Sequence, residues 1–355
     1  MSRSPLTPYF RALPPYLGGK QKLVPWIFNR LSQVIPQGQW TQLRFLDAFV
    51  GGGSISMAAK VLGFQSVHSN DWSARSQLVI KGLLANQFQV LTTPDQLKLV
   101  NTQSQQASPG WIEGQFCPAV FSKRHARALD RYLSNAGQLQ CPTKRALALL
   151  VAWRLITDFV CMPTSIGTSN RPYAETLDAL RDWQTLNPKR FVDGSMSRLL
   201  KPSWSSIERH MQVTNQGVFS GTPVIGYHQD AFQFVQVQSG DVLYLDPPYP
   251  ATSNYETANR TLDAVLFNSD PAQQPSVSPF SKGTPALEAL LDLAQQSTCW
   301  VLSYGNRVVT LDELTTLVKR VAPHRTVYSE ARKYTHMAHV SKNTQNQELL
   351  VIAYQ

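Results

Sequence analysis

Cysteine is scarce in this chain of 355 residues, and the four that occur are Cys117, Cys141, Cys161 and Cys299. None belongs to a C-x-x-C pair, which favours reduced, mostly buried thiols over a disulfide framework or a zinc site. Cys117 and Cys141 could be drawn together with His125, but this spacing is not typical of metal ligands. We therefore expect no bound metal.

Long apolar runs are also missing. No stretch reaches the roughly 18 apolar residues that a transmembrane helix needs. The opening residues, MSRSPLTPYFRALPPYLGGK, do not contain the apolar region of a signal peptide. We therefore expect a cytoplasmic protein without a membrane partner.

Acidic residues are fewer than basic ones, 23 against 33, so the formal net charge is +10 at pH 7. The first acidic residue is Asp47, and six Lys or Arg residues precede it. A basic surface suits a polyanion, with nucleic acid ahead of membrane because no basic amphipathic helix with an aromatic face occurs. Charge alone does not separate this from a basic protein that binds no polyanion.

Two nucleotide-binding signatures are absent from a glycine turn between a strand-like and a helix-like segment. The turn, Phe45 to Ser54, reads FLDAFVGGGS. It has neither the G-x-G-x-x-G spacing of dinucleotide-binding turns nor the Gly-Lys-Ser/Thr of a P-loop. Glycines here let the backbone approach a ligand, and the following helix offers free N–H groups. The turn suits a ligand smaller than a dinucleotide, such as the methionine end of S-adenosylmethionine. The alternative is a tight turn that binds no ligand.

Strand-like and helix-like segments alternate at both ends of the chain. The first run of alternation begins at LRFLDAFVGGGSISMAAKVLG and ends at SARSQLVIKGLLANQ. The second run begins at TPVIGYHQD and ends at ELLVIAY. This order predicts an α/β fold with a mixed sheet and helices on both faces. We assign 1–85 and 216–355 to this domain and 86–215 to a mainly helical insert. Residues 250–283 are polar, with scattered Pro and Ser, and predict a long mobile loop.

One predicted strand ends in Asp246, Pro247, Pro248 and Tyr249. Prolines cannot continue a sheet ladder. The Asp246 carboxylate and the Pro247 carbonyl form two acceptors, because proline has no N–H to donate. Such a pair can hold the two N–H groups of a nucleobase amine and turn its lone pair toward a methyl donor. Tyr249 would then stack on a flipped-out base, worth roughly 1–3 kcal/mol. The alternative is a rigid turn that only begins a loop.

Two further acids follow strand-like segments. Asp71 lies where doubly wound folds place an acid on a ribose, or it caps the helix that begins near Ser73. Asp230 either accepts a hydrogen bond from a cofactor's adenine amine or caps the segment AFQFV. The residues alone leave both choices open.

Together these motifs resemble a known family. The N-terminal PYLGGKQKL is followed by F-x-G-x-G at Phe49, Gly51 and Gly53, then by the insert and by DPPY. This order is similar to that of the Dam-like, alpha-group (D12 class) DNA adenine-N6 methyltransferases, over nearly the whole chain. The resemblance implies the Rossmann-like methyltransferase fold, S-adenosylmethionine as cofactor, and methyl transfer to an adenine flipped out of duplex DNA.

The resemblance also implies roles for single residues. The catalytic set, which orients the target base, is Asp246, Pro247, Pro248 and Tyr249. The cofactor-binding set is Tyr16, Gly18, Gly19, Lys20, Asp47, Phe49, Gly51, Gly53, Asp71, Trp72, Asp230, Ala231 and Asp246. Trp72 departs from the family pattern, in which an aliphatic residue is commoner. It either packs on the cofactor adenine or covers the core.

The insert would be the target-recognition domain, with double-stranded DNA as its partner. The predicted DNA contacts are Lys123, Arg124, Arg127, Arg131, Asn170, Arg171, Tyr173, Arg332, Lys333 and His336. The first four have helical spacing and form either a ridge that faces phosphates or a solvated helix face. We expect a monomer associated with the nucleoid, with a cognate restriction enzyme as a candidate partner.

Other functions remain open at this stage. An N4-cytosine or RNA-adenine methyltransferase uses the same pair of acceptors, and an inactive DNA-binding homologue would keep the fold. Aspartate at the first motif position and the alpha-type motif order favour adenine in DNA. A protein-glutamine methyltransferase is disfavoured, since that class usually has Asn where Asp246 stands.

Overall fold

The computed structural model describes residues 6–16, 18–102, 110–117, 119–159, 204–249, 255–270, 278–334 and 346–355. The chain divides into two compact units. The sheet unit comprises Met1–Gln87, Phe219–Thr252 and Ser278–Gln355, and the helical unit comprises Phe88–Val218 and Ser253–Val277.

Seven strands form one sheet within the described residues, in the order β3-β2-β1-β4-β5-β7-β6. They are β1 Arg44–Asp47, β2 Ser66–Asn70, β3 Val224–Tyr227, β4 Val242–Leu245, β5 Cys299–Gly305, β6 Thr326–Lys333 and β7 Gln347–Tyr354. Strand β7 pairs antiparallel with β5 and β6, whereas the other neighbouring strands pair in parallel. The predicted mixed α/β sheet is confirmed.

Helices cover both faces of this sheet. Successive strand residues point to opposite faces. Phe45 of β1 stacks with Phe28 of the helix Val24–Val34, whereas Leu46 joins a core formed with the helices Ala231–Val237, Pro285–Leu293 and Leu311–Val321. The helices of the sheet unit are α1 Thr7–Ala12, α2 Val24–Val34, α3 Ser54–Leu62, α4 Ala74–Val79, α10 Ala231–Val237, α12 Pro285–Leu293 and α13 Leu311–Val321. Helix α4 continues into a π-helical turn at Ile80–Leu84.

The helical unit packs around one apolar helix. Its described helices are α5 Thr93–Leu99, α6 Trp111–Phe116, α7 Lys123–Gly137, α8 Pro142–Phe159, α9 Trp204–Asn215 and α11 Tyr255–Phe267. Most side chains of α8 are buried, as expected for a helix that is apolar around most of its circumference. Asp130 of α7 accepts the N–H groups of Ile112 and Glu113, at 2.8 and 3.0 Å, and so caps α6.

The predicted loop over 250–283 is wrong in two places. Helix α11 lies within it, and a 3₁₀ turn follows at Pro279–Lys282. The helix was missed because polar residues surround a short buried stripe at Thr261, Ala264 and Val265, which has the spacing of one helix face. The segment Ser253–Val277 also groups with the helical unit, whereas the sequence analysis gave it to the α/β domain.

Membrane-spanning helices and clustered metal ligands do not occur in the described residues. No helix there combines the length and the apolar character needed to cross a bilayer. Those residues also bring no three His, Cys, Asp or Glu side chains into a metal-binding group. Cys117, Cys141 and Cys299 are free thiols. Cys161 lies outside the described residues.

Candidate active site

Three predicted acids meet at the carboxyl edge of the sheet. Asp47 ends β1, and Asp71 and Asp246 directly follow β2 and β4. These strands are parallel neighbours, so their carboxyl ends share one edge, where doubly wound folds bind ligands. The carboxyl group of Asp47 is influenced by the charges of both other acids.

Asp71 holds the glycine turn. Its Oδ2 accepts the Gly51 N–H at 2.7 Å and its Oδ1 accepts the Ser73 N–H at 2.8 Å. Asp71 therefore does support the start of α4, for which Ser73 is the N-cap. Burial raises the pKa of the Asp71 carboxyl, and these two hydrogen bonds lower it. Each carboxylate oxygen can accept a second hydrogen bond, so a ribose contact is compatible with this role.

Tyr16 lies over the glycine turn. A Cβ atom on Gly51 would lie 3.0 Å from Tyr16 Cε1, and one on Gly52 would lie 2.7 Å from Tyr16 Cβ. Gly18 has a φ of 79°, and the Gly19 N–H donates to the Tyr16 carbonyl at 3.2 Å. The Y-x-G-G segment and the glycine turn thus pack into one unit, here called the cradle, in which Tyr16 leaves no room for a side chain at Gly51 or Gly52.

Gly53→Ala is expected to destabilise the sheet unit and to weaken cofactor binding. A Cβ atom there would lie 2.6 Å from Val79 Cγ1, at a φ of 82°. We expect a loss in unfolding free energy on the order of 2 kcal/mol, measured by chemical denaturation. Gly63→Ala is the matched control, because Gly63 has the same φ with no atom within 4 Å of an added Cβ. Equal losses in the two variants would contradict close packing at the turn.

Asp47 is entirely buried. Its Oδ2 accepts the Ser56 hydroxyl at 2.7 Å, and its Oδ1 accepts the Phe49 N–H at 3.3 Å. Burial has the largest effect and raises the pKa of Asp47 to about 7, although both hydrogen bonds lower it. The sequence analysis placed Asp47 in the cofactor-binding set. Its carboxylate instead faces α3 and the turn, so it positions the turn rather than presenting a surface to a ligand.

Asp47→Asn is expected to change stability in a pH-dependent way. The pKa of Asp47 is 3.8 ordinarily and about 7 in the fold. An acid with a raised folded pKa costs stability as pH rises through this window, and the cost is complete above it. Removing the charge should therefore raise the melting temperature of the variant above that of the native protein. We expect this increase to be larger at about pH 8 than at about pH 5, by on the order of 3 °C. A difference that stays constant with pH would contradict the raised pKa.

A second cluster surrounds the hydroxyl of Tyr249. Lys20 Nζ donates to Tyr249 Oη at 2.6 Å, and it lies 3.0 Å from Asp246 Oδ1 and 3.2 Å from Glu348 Oε1. Tyr249 Oη lies 2.8 Å from Asp246 Oδ1 and 2.6 Å from Glu348 Oε1. Ser303 Oγ donates to Glu348 Oε1 at 2.6 Å. One lysine thus faces two carboxylates and a tyrosine.

Asp246 is the member of this cluster that is reachable from the sheet edge. Its side chain is 16% exposed, against 4% for Lys20 and 0% for Glu348. Burial is the largest influence on Asp246 and raises the pKa of its carboxyl, which Lys20 lowers and Glu348 raises. The charge of Lys20 therefore favours an ionised Asp246, as a hydrogen-bond acceptor requires.

The Tyr249 ring is buried, and the residue is 6% exposed. Its centroid lies 5.1 Å from that of Tyr304, and a Cβ atom on Gly305 would lie 2.7 Å from Tyr249 Cδ2. Pro247 is buried and Pro248 half-buried. Because the buried cluster holds the Tyr249 hydroxyl, the ring offers little surface to a base in this structure, and stacking there stays a prediction.

Glu348 and Ser303 were not among the predicted site residues. Glu348 is the one charge in the apolar strand β7, QELLVIAY, and a charged residue within a buried strand is a signal that could have identified it. Ser303 lies in β5, which is buried throughout. Tyr334, after β6, was also missed; its hydroxyl donates to the Gly19 carbonyl at 3.1 Å.

The residues assigned to the cofactor adenine lie at or near the surface. Trp72 is 66% exposed and its ring lies 6.1 Å from His228, which excludes the alternative that it covers the core. Asp230 is exposed and caps α10 by accepting the Phe232 N–H at 2.8 Å. Ala231, beside it, is buried. The capping role of Asp230 is therefore established, and an adenine contact would be an additional role.

Helix α7 carries the predicted basic ridge, but Glu113 of α6 forms ion pairs with two of its basic residues. Arg127 Nε donates to Glu113 Oε2 at 2.8 Å, and Lys123 Nζ lies 3.6 Å from Glu113 Oε1. Arg124 is exposed and Arg131 is half-buried. The positive charge of the ridge is thus partly neutralised within the helical unit.

Two of the other predicted DNA contacts belong to the sheet unit. Arg332 and Lys333 lie at the end of β6 in the sheet unit, and the Arg332 guanidinium lies 5.8 Å from the Trp26 ring centroid. The remaining residues of the set fall outside the described residues: Asn170, Arg171, Tyr173 and His336.

The sheet order, the glycine turn after β1 and the acid-Pro-Pro-Tyr sequence after β4 define the α/β fold of methyltransferases. Residues 16–275 match the family described as D12 class N6 adenine-specific DNA methyltransferase. The chain belongs to this family and is an adenine-specific DNA methyltransferase. The family resemblance seen in the motifs is confirmed.

Two relatives are also named as a methyltransferase and a methylase. The chain is 26% identical over 329 residues to the type II methyltransferase M2.HphI of Haemophilus parahaemolyticus, covering 90% of this chain and 91% of that protein. It is 23% identical over 345 residues to the modification methylase LlaI of Lactococcus lactis subsp. lactis. That second match covers 90% of this chain but 50% of the relative, so the chain spans about half of LlaI.

Proposed function

We propose that this enzyme transfers the methyl group of S-adenosylmethionine to N6 of an adenine flipped out of double-stranded DNA. The observation that carries the proposal is the place of Asp246, an acid that Lys20 and Tyr249 fix at the carboxyl edge of the sheet. The glycine turn shares that edge, which would bring a methyl donor and an amine acceptor together.

The cradle fits the proposed cofactor. At Gly51 and Gly53 the φ angles are positive, which favours glycine, and the absence of a Cβ atom lets a ligand approach the backbone on the side that the protein leaves open. Asp71 has acceptor capacity for ribose hydroxyls, and the exposed Trp72 and Asp230 offer a stacking face and an acceptor for an adenine. When bound, S-adenosylmethionine would supply an electrophilic methyl group on a sulfonium.

Asp246 would orient the target amine. Its carboxylate would accept one N–H of the amine and the Pro247 carbonyl the other, which turns the nitrogen lone pair out of conjugation with the ring. Lys20 and Tyr249 stabilise charge at Asp246 Oδ1, so the group remains an acceptor. The methylated nitrogen must release one proton, and Asp246 is the base placed beside it.

The helical unit would be the target-recognition domain, consistent with the predicted insert over 86–215. Its basic ridge on α7 suits phosphates, and Arg124 on that ridge is exposed while Arg131 is half-buried. We propose a cytoplasmic monomer that acts on chromosomal or other duplex DNA. A cognate restriction enzyme is a candidate partner, because one relative is named a type II methyltransferase and the other a modification methylase.

Replacing Arg124 and Arg131 together with glutamine is expected to weaken duplex DNA binding about tenfold, whatever the sequence. Each lost phosphate contact should reduce the salt slope of the binding constant by about 1. Fluorescence anisotropy at several salt concentrations measures both effects. Arg320→Gln is the control, because Arg320 pairs with Glu288 on α12 and no motif assigns it to DNA. An unchanged salt slope in the double variant would exclude α7 as a phosphate contact.

The donor and substrate class can be tested with methyl-labelled S-adenosylmethionine. The protein is incubated with unmethylated genomic DNA as duplex, the same DNA as single strands, or total RNA, and label in the recovered polymer is counted. We expect label in duplex DNA and little in RNA. Preferential labelling of RNA, or binding of duplex DNA without any label, would refute the proposed function.

A further inference from the structure

The hydroxyl of Tyr249 has more oxygen neighbours than hydrogens to give them. A tyrosine hydroxyl carries one hydrogen and can accept from other donors. Lys20 already donates to Tyr249 Oη, while carboxylate oxygens of Asp246 and Glu348 lie 2.8 and 2.6 Å from the same atom. If both carboxylates were ionised, one of these two contacts would join two acceptors with no hydrogen between them. The geometry therefore calls for one more proton.

We infer that Glu348 holds this proton and is a positioning residue that keeps Asp246 ionised. Two carboxylates that share one site and one lysine do not both ionise readily, because their charges repel. The desolvation cost of a charge falls more heavily on Glu348, whose side chain is 0% exposed, than on Asp246, at 16%. The need for one more proton follows from the geometry, its assignment to Glu348 follows from the deeper burial of that side chain, and the role toward Asp246 rests on the proposed function.

With the proton on Glu348, both contacts between Tyr249 Oη and the two carboxylates have a hydrogen. The single Tyr249 hydrogen would then go to Asp246 Oδ1, at 2.8 Å, and the proton on Glu348 Oε1 would fill the 2.6 Å contact between Glu348 and Tyr249 Oη. Lys20 donates to Tyr249 Oη and pairs with Asp246 Oδ1. Ser303 donates to Glu348 and holds it in place. The hydrogens thus point toward Asp246, which is left as the acceptor that faces the target amine.

Among the described residues, five other titratable or charged groups lie near the cluster, and one of them is Tyr304, whose ring packs against that of Tyr249. Burial raises the pKa of Tyr244 on β4 and of Tyr334 after β6, so both hydroxyls stay protonated at neutral pH. Arg332 is the cross-strand neighbour of Glu348. Asp47, with a pKa of about 7, is influenced by the charge of Asp246 and gives a carboxylic acid signal of its own.

Infrared difference spectroscopy tests the protonation without any turnover. The native spectrum minus that of Glu348→Gln at neutral pH should contain the C=O band of a protonated carboxylic acid. The signal of Asp47 cancels in this subtraction and is identified separately with Asp47→Asn. The acid band should persist in Asp246→Asn. A band lost in Asp246→Asn and kept in Glu348→Gln would place the proton on Asp246 and overturn the inference, as would no band from either.

Kinetics test the positioning role. Glu348→Ala should lower kcat about 10- to 100-fold with an unchanged KM for S-adenosylmethionine. Glu348→Gln should recover most of that loss without moving the acid limb of the pH profile of kcat, because a neutral amide replaces a neutral acid. An acid limb that moves to lower pH would show that Glu348 is ionised. Glu330→Gln, on the neighbouring strand and paired with Arg30, is the matched control and should leave kcat unchanged.

If neither the native protein nor Glu330→Gln transfers a methyl group, the proposed function fails. The infrared result then still decides the protonation of Glu348 by itself. A native protein that is active, with Glu348→Ala equally active, would refute the positioning role alone.

Discussion

Asp246→Asn is expected to lower kcat about 10³-fold while leaving cofactor affinity unchanged. Asparagine replaces one acceptor oxygen by an N–H donor, which would face the N–H groups of the target amine. It also removes the charge that Lys20 and Tyr249 stabilise at 3.0 and 2.8 Å. Single-turnover methylation at saturating cofactor measures the chemical step, and calorimetry with S-adenosylhomocysteine measures the binding. Asp246→Ala should likewise bind cofactor and fail to transfer.

Asp241→Asn is the matched control for this prediction. Asp241 precedes β4 at its opposite end, where its Oδ2 accepts the Arg44 N–H at 2.7 Å. An asparagine carbonyl can accept that bond, so both kcat and cofactor affinity should be retained. Substantial methyl transfer by Asp246→Asn, or an equal loss in Asp241→Asn, would contradict the role given to Asp246.

Lys20→Met is expected to lower kcat about 10²-fold at neutral pH, with partial recovery at higher pH. Lys20 lowers the pKa of Asp246, and Glu348 and burial raise it. Without the lysine, Asp246 stays protonated to a higher pH, so the acid limb of the pH profile of kcat should move upward. The variant should also be less stable, because removing one partner of a buried ion pair leaves the other without compensation.

Lys22→Met separates this effect from a general loss of positive charge. Lys22 is exposed two residues along the same segment. The Lys22→Met variant should have a pH profile of kcat and a melting temperature close to those of the native protein. A pH profile that does not move in Lys20→Met would show that the lysine does not control Asp246.

The fold was predictable because its strongest signals are local. Buried β4 ending in Asp246, the glycine turn after β1 and the alternation of strands and helices each carry the pattern of their own element. The order of these motifs then indicated the family, which the match over residues 16–275 confirms. Local patterns also indicated that Asp71 and Asp230 could hold helix starts, and both accept backbone N–H groups there.

What the sequence did not reveal depends on contacts between distant residues. Lys20, near the start of the chain, is far in sequence from both Tyr249 and Glu348. Glu348 reaches Ser303 because β7 pairs with β5. The burial of Tyr249 follows from that cluster and from its close approach to Gly305, which no sequence pattern signals. Helix α11 was missed because its buried stripe is short.

The identity of the methylated nucleoside tests the central claim most directly. Unmethylated duplex DNA is incubated with the native protein and labelled S-adenosylmethionine, digested to nucleosides and separated by chromatography with mass detection. Membership of the D12 class predicts that the label lies in N6-methyl-2′-deoxyadenosine, and the role given to Asp246 predicts that the label is absent with Asp246→Asn. Label in N4-methylcytosine, or equal label from the variant, would contradict the claim.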